Sequence, residues 1–141
     1  MKPETARELS RLANEHNARR EADKAKAAEA VENKRAREER FRACVREAIR
    51  PVLNDFQELV RSWRYHSEIK EGAGSPFGIV LTVSIPGLPG ISHISFEPGQ
   101  IRTAVADPRS EEGEACEPDE LSTDFVEERV KDFLAQLLRS Y

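Results

Sequence analysis

Three histidines, two cysteines and a short glycine-rich turn hold most of what this 141-residue sequence offers for chemistry. His66 and His93 could meet on neighbouring strands and, with Cys116, supply three zinc ligands. Zinc sites normally include at least one pair of ligands close in sequence, and His16, His66, His93, Cys44 and Cys116 contain none, so no metal is expected. Cys44 stands between Arg42 and Arg46, cations that would lower a thiol pKa if the residue were exposed. It also borders an apolar stripe, where an inert buried thiol is the expected state. Gly72-Ala73-Gly74-Ser75 has the outline of a phosphate turn but lacks the Gly-Lys-Ser/Thr ending. It leads into Pro76 and a strand pattern where a phosphate site would open a helix. Ser75 has no Gly-x-Ser-x-Gly frame, and the acids of 107 to 124 lack the Asp-x-Asp-x-Asp-Gly order of a calcium loop. No convergent catalytic set and no cofactor fingerprint remains, so neither an enzyme nor a bound cofactor is expected.

Recognition chemistry is better represented. Trp63 and Tyr65 lie beside Arg61 and Arg64, the residue types that anchor protein interfaces. Phe41, Val45 and Ile49 begin an apolar stripe wider than one sheet face and one further helix need, so these three join Trp63 and Tyr65 as interface candidates. Basic residues at Arg19, Arg20, Lys24, Lys26, Lys34, Arg35, Arg37 and Arg40 could meet phosphates. Acids are interleaved among them, however, and no aromatic residue precedes Phe41 for stacking on bases. The net charge of -4 is unevenly spread: residues 1 to 70 carry 17 Lys or Arg against 13 acids, and residues 71 to 141 carry 5 against 13. A folded part that acidic argues against nucleic acid as the partner.

The elements that must position these residues divide the chain in two. Residues 1 to 40 hold Leu9, Leu12 and Val31 as their only large aliphatics beyond Met1, while 21 of the 40 are charged or His, so this part cannot build a core. Rich in Ala, Glu, Lys and Arg, it is expected as a charged helical arm, a solvated single helix or a weak alanine-rich coiled coil. Pairs four apart, such as Glu15 with Arg19 and Glu38 with Arg42, would support it.

Residues 41 to 141 are expected as an α-ββββ-α head. Phe41, Val45, Ala48, Val52, Phe56, Leu59 and Trp63 recur at helical spacing, with Ile49, Leu53 and Val60 widening the stripe. Pro51 predicts a kinked central helix. Alternating stretches at 63 to 70, 77 to 85, 91 to 97 and 100 to 106 predict a four-stranded antiparallel meander, with Pro98 and Gly99 central in a type II turn. Residues 107 to 121 read as an acidic, solvated loop. Ser122 then caps a C-terminal helix whose apolar side, Val126, Val130, Phe133, Leu134, Leu137, Leu138 and Tyr141, packs on the same sheet face as the central helix. In element order alone, residues 41 to 141 resemble the RWD-type heads that cap some kinetochore coiled coils. The Tyr-Pro-x-x-x-Pro signature of that family is absent, so the likeness extends to architecture only.

The expected class is therefore α+β, and the expected function is a non-enzymatic protein–protein interaction module, a self-associating adaptor or accessory subunit acting as a homodimer. The second reading is a nucleic-acid-associated accessory factor using the basic residues of the arm. No apolar run approaches the roughly 18 residues of a membrane span and the N-terminus has no apolar signal core, so a cytoplasmic location is expected.

Overall fold

The computed structural model describes residues 1–72, 77–106 and 110–140, and the chain is α+β. It divides into two compact units, Met1–Ala36 and Arg37–Tyr141. The glycine-rich turn Gly72-Ala73-Gly74-Ser75 and Pro76 lie outside the described residues from 73 onward, as do residues 107–109 and Tyr141.

The first unit is helical from Pro3, within a helix α1 that spans Pro3–Cys44. Every residue of the unit is exposed, Leu9, Leu12 and Val31 included. Its ion pairs are three apart, Glu21 with Lys24 at 3.8 Å and Glu32 with Arg35 at 3.6 Å, where the sequence suggested Glu15 with Arg19. Such exposed pairs add about 0.2 to 0.5 kcal/mol each, so this helix is held by backbone propensity more than by contacts.

In the second unit the helical chain passes from the end of α1 through a π turn, Val45–Ile49, into α2, Arg50–Ser62. Arg50 N–H donates to the Val45 carbonyl, the five-residue bond of a π turn. Pro51 falls in the first turn of α2, directly after the π turn, and the chain stays helical through the point where a kink was expected. In unbroken α-helix Phe41 would stand about 80 to 120° around the axis from Ile49, Leu53 and Val60. One extra residue in the turn removes about 100° of that. As a result all four are fully buried on one line, while Phe56 is only half-buried and Leu59 and Trp63 are exposed at the rim.

Among the described residues five strands form one antiparallel sheet in the order β1-β2-β3-β4-β5: β1 His66–Glu71, β2 Ile79–Ser84, β3 Ser92–Glu97, β4 Gly99–Val105 and β5 Ser110–Cys116. The expected four-stranded meander is therefore corrected to five, the fifth coming from the supposed acidic loop. β5 (Ser-Glu-Glu-Gly-Glu-Ala-Cys) has neither β propensity nor apolar alternation, because it is an exposed edge strand recruited by its backbone pairing, Ile101 with Glu114 and Thr103 with Glu112. Its glutamates also discourage a further strand from adding at that edge.

Register puts Ile79, Leu81, Val83, Ile94, Phe96, Ile101 and Val105 on one face, and all are buried. They share a core with Phe41, Ile49, Leu53 and Val60, and with Val126, Val130, Phe133, Leu134 and Leu137 of the last helix α3, Thr123–Arg139. Ser122 caps α3, its hydroxyl accepting from Phe125 N–H at 3.1 Å. Two glycines are required by conformation. Gly99 takes φ +93°, the left-handed value for the second central residue of the β3–β4 turn, and at Gly90 a Cβ would lie 2.7 Å from Ala106 Cβ.

The phase set by the π turn separates two phenylalanines that periodicity alone treats alike. Phe133→Ala should cost about 3 to 5 kcal/mol of unfolding free energy, and Phe56→Ala less than half as much, by urea denaturation followed by circular dichroism. Equal losses would place Phe56 in the core and contradict the phase described.

Candidate protein-interaction site

The five residues singled out from the sequence separate in space. Phe41 and Ile49 are fully buried in the core of their own unit and present no surface to a partner. Val45 is half-buried and lines a groove with Arg42, Arg46 and Arg50. Trp63 and Tyr65 come together at the end of α2, with ring centroids 6.0 Å apart in an edge-on arrangement of 71°.

Local backbone explains that last pairing. Arg64 N–H donates to the Arg61 carbonyl at 2.9 Å and Tyr65 N–H to the Val60 carbonyl at 3.3 Å, the two bonds of a Schellman helix ending. The left-handed position in that motif is usually glycine; here it is Arg64, at φ +65°. A non-glycine residue there costs on the order of 1 kcal/mol, and the turn swings Tyr65 back beside Trp63.

Leading up to this turn, the rim of α2 presents Phe56, Leu59 and Trp63 at helical spacing, with Leu59 45% and Trp63 38% exposed. Beside Phe56 and Leu59 lies an open cleft of about 300 Å³, with Val52 at its base and Asp55, Thr123 and Glu127 around it. Acids thus stand at one end of the stripe and Arg61 and Arg64 at the other. Among the described residues Asp55, Glu127, Arg61 and Arg64 have no ion-pair partner within the chain.

Several charges elsewhere are matched. Arg37 reaches Glu117 at 3.0 Å, Arg40 reaches Asp119 at 3.3 Å, and Arg129 grips Glu114 through two nitrogens at 2.9 Å while lying 4.6 Å over the Phe125 ring. The acidic segment is therefore tied to both flanking helices, an arrangement the sequence did not reveal because each pair spans 15 to 80 residues.

The residues with possible chemistry stay apart. His66 and His93 both point to the outer sheet face with β2 between their strands, and Cys116 lies on the inner face at the far edge. No cluster of three metal-ligating side chains occurs among the described residues. Cys44 Sγ donates to the Pro118 carbonyl at 3.3 Å, and its pKa is raised by burial and by Glu47 and Asp119. Cys116 is buried, and burial with Glu120 and Glu114 pushes its thiol up to about 11. Both thiols are thus held in the protonated form at neutral pH.

The chain matches no protein-family model, and comparison with curated proteins and with solved structures also finds no match. No helix among the described residues is long and apolar enough to cross a membrane.

The raised Cys116 pKa has a measurable consequence. Between about pH 9 and 11 the unfolded thiol ionises while the folded one keeps its proton, so the folded state binds more protons and stability falls as pH rises. Chemical denaturation across that window should show a shallower decline in Cys116→Ala than in the natural chain, and at pH 8 a thiol reagent should leave Cys116 unmodified until the protein unfolds. Full modification of both thiols in the folded protein would contradict the burial.

Proposed function

We propose that this chain is a non-enzymatic protein–protein interaction module, an adaptor or accessory subunit that self-associates as a homodimer through the rim of α2. The observation that carries the reading is the apolar stripe of half-buried Phe56 and exposed Leu59 and Trp63, with unpaired acids at one end and unpaired arginines at the other. Two copies related by a two-fold axis bring their α2 helices together antiparallel. Asp55 and Glu127 of one copy then approach Arg61 and Arg64 of the other, and the apolar stripes cover each other. A second copy is favoured because this surface is complementary to itself in both charge and polarity. Arg64 adds support: a charged residue is kept at a left-handed position that glycine would occupy without strain. The same reading takes the compartment as the cytoplasm, supported by two free cysteines, Cys44 and Cys116.

Sedimentation of the full chain at tens of micromolar should give a dimer. Leu59→Asp should give a monomer with an unchanged helical spectrum, because Leu59 lies outside the core. Arg64→Gly should act in opposite directions on two readouts, raising the melting temperature by relieving strain and weakening the dimer several-fold. A monomeric natural chain, or a Leu59→Asp dimer as tight as the original, would overturn the proposal.

A further inference from the structure

A second surface, separate from the α2 rim, lies where α1 ends. Arg42, Arg46 and Arg50 follow one another at intervals of four residues across the π turn. In regular α-helix residues four apart drift by about 40° per step, which would fan three arginines around the axis. The wider π turn reduces that drift, and all three line one open groove of about 390 Å³, together with Glu71. Val45 and Phe77 supply apolar surface in the same groove, and the Arg42 guanidinium sits 4.3 Å from the centre of the Phe77 ring. Arg42 has no carboxylate partner among the described residues. Arg46 meets only Glu47, at 3.9 Å with both side chains well exposed, and Arg50 pairs with Glu71. The groove is therefore a cationic site on a unit that is otherwise acidic: residues 37 to 141 carry 13 Lys or Arg against 19 acids.

We infer that this groove binds an extended acidic peptide segment of a partner protein, one with carboxylates at alternate positions. The spacing carries the choice. Residues four apart on the helix lie about 6 Å apart along its axis, and alternate side chains of an extended peptide project on one side about 7 Å apart. Successive carboxylates can then meet successive guanidinium groups, while the aliphatic stems of the peptide lie on Val45 and Phe77. A nucleic acid fits less well, since a long polyanion would meet a unit that carries 13 Lys or Arg against 19 acids overall. The inference rests on the reading of the chain as a protein-binding module, but it uses none of the residues of the α2 rim.

The test is fluorescence anisotropy on the full chain with a labelled peptide of alternating Glu and Ala, at about 50 mM salt, beside a labelled single-stranded oligonucleotide and a peptide of alternating Lys and Ala. The Glu peptide should bind, release as salt is raised, and bind roughly tenfold more weakly to the double variant Arg42→Gln, Arg46→Gln. The exposed Arg139→Gln should leave binding unchanged. Absence of binding by the natural chain, binding unaffected by the double variant, or tighter capture of the oligonucleotide through the same arginines would each overturn the inference. Sedimentation of the same samples separates the two proposals, because loss of peptide binding in a dimer removes the groove and leaves the pairing surface standing.

Discussion

An antiparallel sheet with one apolar face needs a cover, and here the cover must supply a line of large side chains from a helix that carries a π turn just before Pro51. The sheet presents Ile79, Leu81, Val83, Ile94, Phe96, Ile101 and Val105 together. α3 contributes Val126, Val130, Phe133, Leu134 and Leu137. What remains must come from Phe41, Ile49, Leu53 and Val60, which no unbroken α-helix would align. The π turn solves this by changing the winding over five residues, and both the core and the two surfaces beside it inherit that phase. Rotating one set of residues inward brings Leu59 and Trp63 to the rim and gathers three arginines at one groove.

Charge has a structural part that apolar burial cannot fill. β5 has little to bury except Cys116, so its place at the sheet edge depends on backbone pairing with β4 and on side-chain clamps at Glu114, Glu117 and Asp119. Exposed ion pairs contribute about 0 to 1 kcal/mol each, and Arg129 adds to its contact with Glu114 a stack on the Phe125 ring. The pairing also uses up arginines. Arg37, Arg40 and Arg129 are committed to this segment, whereas among the described residues Arg42, Arg61 and Arg64 have no carboxylate partner.

Much of the architecture was legible in the sequence wherever burial follows a simple period. The alternation through Ile79, Leu81 and Val83, the turn at Pro98 and Gly99, and the cap at Ser122 before α3 each report a local preference. β5 was not legible, because an edge strand of glutamates shows no burial period and its partners lie elsewhere in the chain. The interface candidates were legible by residue type only. Aromatic and aliphatic residues on one stripe could be recognised, but whether Phe41 and Ile49 or Leu59 and Trp63 faced outward depended on a helical phase that a 3.6-residue period cannot express. For the arginine groove the interval of four was visible at Arg42, Arg46 and Arg50; their alignment was not.

A π turn is in effect an α-helix with one residue inserted, and that gives this segment an unusual relation to changes of length. Removing a single residue between 45 and 49 would leave a more regular helix with better hydrogen bonds. It would also turn Phe41 by about 100° away from the side occupied by Leu53 and Val60. Most helices are harmed by an extra residue because it disturbs their regularity, whereas this one would be harmed by losing it. The chain is thus poised so that a deletion that perfects its backbone would take its core apart.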